Sequence, residues 1–363
     1  MDASLIQAML ARMGINNDPE GEPSPPPPEP VLASFDLQGV ADKIKSGEVR
    51  KVVFAVGAGI SVSAGIPDFR TPGTGLYDNL QQYNLPSPEA IFSIDYFQDR
   101  PEAFYTLAKE MWAANDFKPT PAHYLMKLFH EKDMLKRVLT QNIDSLEAKA
   151  GIPKKLVVAA HGNFDAATCI ETRQKVDVDE LKEAVRTDTW QQFNEKHGGL
   201  CKPDIVFFGE SLPHAFFHAL REDLPDADLL IVMGTSLAVQ PFASCVDEVS
   251  NMTPRVLMNR EKVGEASEDL VKIAGWQRAR GFLFDGEYQY RDVFVGGDID
   301  ASAWRLASLL GWTADLERLV GKTEEAATAE GEEEKRKMKE KGAAHMAEKI
   351  AKAEEANSDD VAR

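Results

Sequence analysis

The stretch that decides the fold is residues 51–80, KVVFAVGAGISVSAGIPDFRTPGTGLYDNL. It begins with five apolar residues, 52–56, which are typical of a strand buried inside a parallel sheet. Gly57 and Gly59 follow directly, and glycines at this point let backbone N–H groups approach a phosphate group. Val62 takes the place of the third glycine of a dinucleotide fingerprint, so the glycine motif alone fits an ordinary tight turn equally well.

The loop that continues this stretch favours a binding site over a simple turn. Pro67 fixes a turn, and Asp68 and Arg70 then place an anion and a planar donor fork two residues apart. Such a pair of charges is not needed for chain reversal. Strand, glycines and loop together therefore indicate a nucleotide site.

Five further apolar runs resemble the first one, because each ends in a polar or glycine-rich motif. They are RVLT before QNID, LVVAA before HGNF, LLIVM before GTSL, RVLM before NRE and DVFV before GGD. Helical stretches such as 101–113 and 121–130 alternate with these runs, which predicts an α/β protein. We expect a doubly wound, parallel, Rossmann-like sheet with a smaller inserted lobe. Since the carboxyl ends of parallel strands share one edge, the six motifs should converge on one site.

Composition divides the chain into three parts. Residues 1–30 combine a short amphipathic helical pattern with a proline-rich run, which predicts an extended or disordered N-terminal extension. Residues 31–320 should form the folded domain, with small-lobe segments at about 78–118 and 163–203. Residues 321–363 are charged nearly all round, which predicts a solvated helix or a disordered tail. For both ends, binding to a partner is the second interpretation.

Charge and cysteine content argue against several classes of protein. The net charge of −18 argues against direct binding to nucleic-acid phosphates and suits basic partners such as lysine-rich peptides. Three scattered cysteines predict a reducing compartment. The sequence shows no apolar run of membrane-spanning length and no signal-peptide pattern, so we expect neither a membrane protein nor a secreted one. We expect a cytoplasmic protein, with the nucleus as a second compartment, and the sequence leaves its oligomeric state undetermined.

Polar residues at the predicted strand ends carry the candidate chemistry. Gln141, Asn142 and Asp144 follow the second strand, although Asp144 fits equally well as the cap of the next helix. His161 ends the third strand at the same expected edge, which favours a catalytic base over a structural histidine. After the fourth strand, the GTSL motif at 234–237 offers donors suited to a phosphate or a ribose.

Residues 202–210, KPDIVFFGE, predict an unusual strand. Its apolar residues alternate, Pro203 stands at its start and Gly209 at its end, which suits a sheet edge better than a sheet interior. An edge of this kind can capture an extended peptide by β-augmentation.

Together, GAGISVSAGIPDFR, TQNID, HGNF, KPDIVFFGESLP, MGTSLAVQPF and the late GGD resemble the sirtuin family of NAD-dependent protein deacylases. The resemblance covers about residues 34–320, and GTGLYDNL, PEAIFSIDYF and VQPFAS are similar to class I, nearest its cytoplasmic deacetylase branch. It implies an NAD-dependent protein lysine deacetylase, which transfers an acetyl or apolar acyl group from lysine to ADP-ribose and releases nicotinamide. Protein mono-ADP-ribosyl transfer and non-catalytic sensing of NAD or ADP-ribose remain the alternatives. The implied substrates are acetylated, histone- or tubulin-like proteins.

The resemblance also implies residue roles. His161 is the implied base, acting on a ribose hydroxyl after the acyl oxygen has attacked the anomeric carbon of NAD, and Asn142 and Asp144 help to position the cofactor. Ile299 stands where the family often has cysteine, and because that contact is largely with backbone, adenine binding should survive. The residues implied to bind NAD are Gly57, Ala58, Gly59, Ser61, Asp68, Phe69, Arg70, Gln141, Gly234, Thr235, Ser236, Asn259 and Ile299. The residues implied to clamp the peptide are Val206, Phe207 and Gly209.

The small lobe departs from the family pattern, which usually holds zinc through two pairs of cysteines. Here Cys169 and Cys201 lack close cysteine partners, and Asn194 and His197 stand where the second pair belongs. Because a structural zinc needs four ligands, we expect no metal, and the two cysteines with His197 would make an incomplete site. Residues 166–200 should instead fold as a helical module on its own small core, docked near the NAD loop.

A second difference from one branch of the family bears on which acyl group is removed. The branch that removes succinyl-type groups carries a Tyr-x-x-Arg pair, whereas this chain has Tyr105 followed by Ala108. An acidic acyl group would lack its counter-charge, so an acetyl or apolar acyl group is expected.

Overall fold

The structure is a computed structural model, and it describes residues 29–66, 85–113, 117–267, 271, 276 and 280–321. The chain divides into two compact units, Met1–Thr313 and Ala314–Arg363, and the described part of the second is helical. The predictions for the N-terminal extension and for most of the charged tail lie outside the described residues. The domain limits drawn from the sequence therefore stay predictions. Among the described residues, no helix has the length and apolarity that a membrane span requires.

The strands are β1 (Val52–Val56), β2 (Leu135–Thr140), β3 (Val157–Ala159), β4 (Gly162–Cys169), β5 (Lys175–Val176), β6 (Cys201–Ile205), β7 (Leu229–Met233), β8 (Arg255–Asn259) and β9 (Asp292–Gly296). The α-helices are α1 (Leu37–Lys45), α2 (Ile94–Asp99), α3 (Pro101–Ala113), α4 (Pro121–Glu131), α5 (Leu146–Lys149), α6 (Val178–Arg186), α7 (Trp190–His197), α8 (His214–His218) and α9 (Ile299–Leu310). Short 3₁₀ turns follow β1 at Ala58–Ile60 and Val62–Ala64, and others lie at Pro88–Phe92, Lys154–Leu156 and Phe242–Asp247. A π-helical turn, Ala219–Asp223, follows α8.

The large sheet confirms the predicted α/β class. Its six strands are all parallel in the order β3-β2-β1-β7-β8-β9, the strand order of a doubly wound dinucleotide-binding sheet. Each of the six apolar runs identified in the sequence forms one of these strands. All residues of β1 and of β7 are buried, as expected for neighbouring strands in the middle of the sheet.

Both faces of the sheet are covered, because neighbouring side chains of a strand point to opposite faces. Phe54 packs edge-on against Phe129 of α4, with ring centroids 5.3 Å apart. Val53 and Ala55 belong to the core on the other face, together with Phe216 of α8 and Phe242. The run VVFAV therefore stabilises two layers of packing at once.

The inserted small lobe combines an antiparallel sheet, ordered β5-β4-β6, with helices α6 and α7. The helices agree with the predicted module, but strands β4 and β5 correct the prediction that it is only helical. The core of residues 166–200 is shared with helix α3. Leu181 and Phe193 pack in one cluster with Phe104 and Tyr105 of α3, and the Tyr105 ring lies 4.9 Å from that of Trp190. The prediction that residues 166–200 have a small core of their own is therefore wrong, because their apolar side chains pack against α3, which lies far away in the sequence.

The donor set of the small lobe does not fit a structural zinc. Cys169 and Cys201 are buried opposite each other on β4 and β6. The Asn194 side chain is already engaged, since its Oδ1 accepts a 3.0 Å hydrogen bond from the Cys201 backbone and its amide donates to the Tyr105 hydroxyl. The His197 ring lies 4.4 Å from the Phe193 ring. In the described ranges, no three His, Cys, Asp or Glu residues are grouped as metal ligands. The absence of zinc itself stays a prediction.

We expect the small lobe to resist chelators. Its aromatic core should stabilise the lobe without the zinc that the family pattern usually holds at this place. A strong chelator should leave the melting temperature unchanged, whereas Phe193→Ala should lower the unfolding free energy by about 3 kcal/mol or more. Elemental analysis and paired thermal melts check this. One tightly held zinc per chain, with a melting temperature that falls on chelation, would contradict it.

Candidate active site

One crevice of about 1220 Å³ runs along the carboxyl edge of the large sheet. Residues that follow each of the six parallel strands line it: Ala58 and Gly59 after β1, Gln141 and Asn142 after β2, His161 after β3, Gly234, Thr235 and Ser236 after β7, Asn259 and Arg260 at β8, and Gly297 after β9. The predicted convergence of the six motifs is therefore found in the structure.

The floor of the crevice is made by two glycine turns that touch. Gly59 N–H donates to the Gly234 carbonyl at 2.9 Å, and Gly57 N–H donates to the Met233 carbonyl at 3.0 Å. A Cβ atom on Gly234 would lie 2.6 Å from the Ile60 nitrogen, so no side chain fits there. The chain continues after Gly57 as two 3₁₀ turns and not as the α-helix that a full dinucleotide motif would begin.

Asn142 and Asp144 are joined to the first glycine turn through Ser61. The Ser61 hydroxyl donates to Asp144 Oδ2 at 2.7 Å, and Asn142 Nδ2 lies 3.3 Å from both Ser61 Oγ and the Gly57 carbonyl. Asp144 Oδ1 also accepts from the Leu146 N–H, so the capping interpretation and the site interpretation hold together. Asn142 lines the crevice, whereas Ser61 and Asp144 support it from behind.

Glu147 is a residue of this network that the sequence analysis missed. It is fully buried, its carboxylate accepts from the Thr140 hydroxyl, and Thr140 Oγ1 in turn accepts from the Asn142 N–H at 3.0 Å. Burial raises the pKa of Glu147, and the neighbouring Asp144 raises it further. In the sequence it looks like a surface residue of a polar helix. Only its place beneath the second strand end reveals its contact with the site.

His161 has the geometry of a general base. Its Nδ1 lies 3.1 Å from the Gln141 carbonyl, which can only accept, so Nδ1 carries the proton and Nε2 keeps a lone pair. Burial lowers the pKa of His161, although the bond to Gln141 opposes the shift. The neutral, proton-accepting form is therefore favoured near pH 7.

The other predicted nucleotide contacts extend from this centre toward β8 and β9. The Thr235 hydroxyl donates to Gln141 Oε1 at 2.6 Å, which joins the turns after β7 and β2. Asn259 Nδ2 donates to the Glu261 carbonyl at 3.0 Å, and Ile299 lines the same end of the crevice at the start of α9. Three predicted residues of the loop, Asp68, Phe69 and Arg70, lie outside the described residues.

The predicted peptide-binding strand is shorter than expected. β6 ends at Ile205, because the next N–H groups turn to other partners and Gly209 adopts φ +97°. Val206 and Gly209 line the crevice with backbone and small side chains. Phe207 is buried against Phe104, with ring centroids 4.8 Å apart, so its side chain serves mainly to anchor the segment.

Tyr105 does not line the crevice. Its hydroxyl donates to the Cys201 carbonyl at 2.6 Å inside the small-lobe core, and burial raises its pKa. It therefore offers no contact to an acyl group in this arrangement.

Comparison with known proteins gives the family. A model described as the Sir2 family matches residues 57–241. The NAD-dependent protein deacetylase sirtuin-2 of Danio rerio is 47% identical over 298 residues, which cover 81% of this chain and 77% of that protein. The NAD-dependent protein deacetylase hst2 of Schizosaccharomyces pombe is 40% identical over 83% of this chain and 84% of its own length. The chain belongs to the Sir2 family. The predicted resemblance is confirmed.

In this Sir2-family protein, the contact between the two glycine turns gives a direct test of the crevice floor. Gly234→Ala should prevent ADP-ribose binding and lower stability, because the new Cβ meets backbone at 2.6 Å in addition to the cost of φ +64°. Gly47→Ala is the matched control: its φ is +83°, nothing lies within 4 Å of the added Cβ, and it should lose only about 1 to 2 kcal/mol. Calorimetric titration and thermal melts measure both variants. Equal behaviour would contradict the close contact.

Proposed function

We propose that this protein is an NAD-dependent protein lysine deacetylase, which releases nicotinamide and transfers the acyl group to ADP-ribose. The observation that carries the proposal is the continuity of one crevice. It joins the glycine turns, the Asn142 network, His161 and the 206–209 segment within a single cavity. The names of the relatives, which are NAD-dependent protein deacetylases, support the same activity.

The nucleotide is held in this proposal by groups that suit its phosphates and riboses. The Ala58, Thr235 and Ser236 N–H groups line the crevice and have no recorded hydrogen-bond acceptor among the described residues, and the Thr235, Ser236 and Asn259 side chains supply further polar contacts. Asp68, Phe69, Arg70 and Ile299 complete the proposed set. When bound, NAD supplies the ADP-ribosyl group that accepts the acyl group.

The chain's own residues then provide orientation and proton transfer. Asn142 lines the crevice, its Nδ2 donates to the Ser61 hydroxyl and the Gly57 carbonyl, and Asp144 in turn fixes Ser61. His161 Nε2 accepts a proton from the attacking ribose hydroxyl, while the Gln141 carbonyl keeps the ring in the required tautomer. Water access is limited by the apolar side chains Phe92, Ile143 and Leu212 at this end of the cavity.

The substrate in this proposal is an acetylated lysine in an extended, basic peptide of a histone- or tubulin-like protein. The apolar lining beside His161 and the absence of arginine at Ala108 favour an acetyl or apolar acyl group over an acidic one. We place the protein in the cytoplasm, with the nucleus as a second compartment, and we propose that it acts without direct contact to nucleic acid or a membrane.

Two other functions use the same crevice: mono-ADP-ribosyl transfer to a protein, and non-catalytic sensing of NAD or ADP-ribose. Incubation with NAD and an acetyl-lysine peptide separates the three. Deacetylation predicts free nicotinamide together with free-lysine peptide. ADP-ribosylated protein would favour the transferase, and no turnover at all would favour the sensor.

His161→Ala should lower deacetylation by about 10²- to 10⁴-fold and leave ADP-ribose binding unchanged, because the base acts after nicotinamide has left. Asn142→Ala should also impair nicotinamide exchange. Since the lowered pKa keeps His161 neutral, wild-type kcat/KM should fall only below about pH 6.5 as the ring gains its proton. A near wild-type rate for His161→Ala, or an acid limb centred above pH 6.5, would contradict the assignment.

Peptide capture should depend on backbone pairing with residues 204–209. A scan that places proline at each position next to the acetyl-lysine removes one N–H at a time and should weaken binding sharply at the paired positions. Alanine at the same positions serves as the control. If proline and alanine peptides bind alike, this segment is not the peptide-binding edge.

A further inference from the structure

A buried lysine lies directly beneath the segment that lines the peptide end of the crevice. Lys202 is only 5% exposed, and its ammonium donates to the Ile205 carbonyl at 2.6 Å. The ammonium also lies 4.5 Å from the centre of the Phe207 ring. None of these contacts belongs to the reaction itself, and Lys202 does not line the crevice.

Glu210, at the other end of the 205–210 segment, contacts Lys202 and the Phe207 backbone. Glu210 Oε2 lies 3.0 Å from Lys202 Nζ and accepts a second hydrogen bond, of 2.8 Å, from the Phe207 N–H. Glu210 Oε2 therefore links the Lys202 side chain to the Phe207 backbone. Residues 205–210 form a loop fastened across its base by an ion pair.

The fastened loop leaves particular backbone groups for a ligand. The Val206 N–H donates to the His161 carbonyl at 2.8 Å, and the Phe208 N–H donates to the Phe92 carbonyl at 2.7 Å. Among the described residues, the Val206 carbonyl and the Gly209 N–H have no recorded hydrogen bond, and both residues line the crevice. One acceptor and one donor that line the crevice can therefore bind the backbone amides or the acyl amide of a peptide.

The ion pair is a costly way to stabilise a loop. A buried charge pair loses hydration that its attraction only partly returns, so such pairs often contribute little net stability, whereas loss of one partner leaves an uncompensated charge. Lys202 has three acceptors around it, the Ile205 and Pro203 carbonyls and Glu210, which directs its charge to one conformation of the backbone. The contacts of Lys202 therefore hold the backbone of residues 205–210 in one conformation.

We propose that Lys202 and Glu210 are positioning residues for substrate capture: their ion pair presets residues 206–209 so that the Val206 carbonyl and the Gly209 N–H pair with an extended acyl-lysine peptide. The inference rests on the proposed function, and it adds two residues to the assigned set: Glu210, which lines the crevice, and Lys202, which lies behind it. Because the Val206 N–H is bonded to His161, the preset segment also holds the peptide in register with the base.

Two variants of Glu210 test the proposal. Glu210→Ala removes the ion pair and the acceptor of the Phe207 N–H, and it should weaken binding of an acetyl-lysine peptide by about tenfold or more. Glu210→Gln keeps the acceptor for the Phe207 N–H and the side-chain volume but removes the counter-charge of Lys202, so it should weaken peptide binding by an intermediate factor of about threefold. ADP-ribose affinity should stay within about twofold for both, because in the described part of the chain no recorded hydrogen bond joins Glu210 to the glycine turns. Fluorescence anisotropy measures the peptide, and calorimetry measures ADP-ribose.

Lys175→Met is the matched control, since it removes the exposed ion pair between Lys175 and Asp204 of the same small sheet. It should leave both affinities unchanged. A graded, peptide-specific loss across the two Glu210 variants supports the proposal. Unchanged peptide affinity, or an equal loss of peptide and ADP-ribose affinity, would overturn it. If Glu210→Ala melts below the assay temperature, Glu210→Gln decides alone: a peptide-specific loss of about threefold with unchanged ADP-ribose affinity supports the proposal, and unchanged peptide affinity overturns it. A wild-type protein that binds no acetylated peptide would instead refute the proposed function.

Discussion

The structure depends on the contact between two backbone turns, one after β1 and one after β7. Gly59 and Gly234 approach so closely that a Cβ atom on either would lie 2.6 Å from backbone of the other turn. This contact fixes the floor of the crevice, and among the described residues it leaves the Ala58, Thr235 and Ser236 N–H groups without a recorded acceptor. The remaining strand ends are then arranged around it, through the Thr235 bond to Gln141 and the Ser61 bond to Asp144.

From that floor, one hydrogen-bonded path leads to a buried carboxylate beneath the site, and a second leads to the segment proposed to bind the peptide. One passes from Gly57 through Asn142 and Thr140 to the buried Glu147. The other passes from the Gln141 carbonyl to His161 and from the His161 carbonyl to Val206. His161 is therefore attached to both halves of the crevice, as the proposed reaction between a nucleotide and a peptide requires of its base.

The sheet and most of the crevice could be predicted from sequence, because both follow from local patterns. Apolar runs with polar ends mark buried parallel strands, and the topology then places their ends together. The small lobe could not be predicted in the same way. Its core unites Phe104 and Tyr105 with Phe193 across almost ninety positions of chain, and strand β4 is paired to β6 through long-range contacts that no local period records. Glu147, Lys202 and Glu210 were missed for a related reason. A charged residue looks exposed in the sequence until the fold covers it, as it covers Glu147 and Lys202 fully and Glu210 in part.

The most direct test of the account follows the acyl oxygen. With ¹⁸O placed in the acetyl carbonyl of an acetyl-lysine peptide, a single turnover with NAD is analysed promptly by mass spectrometry. The account predicts that the label leaves the acetyl group and appears on the ribose of the ADP-ribose product, because that oxygen forms the new bond to the ribose as nicotinamide departs. Label retained in free acetate, with NAD unconsumed, would mean simple hydrolysis and would contradict the account.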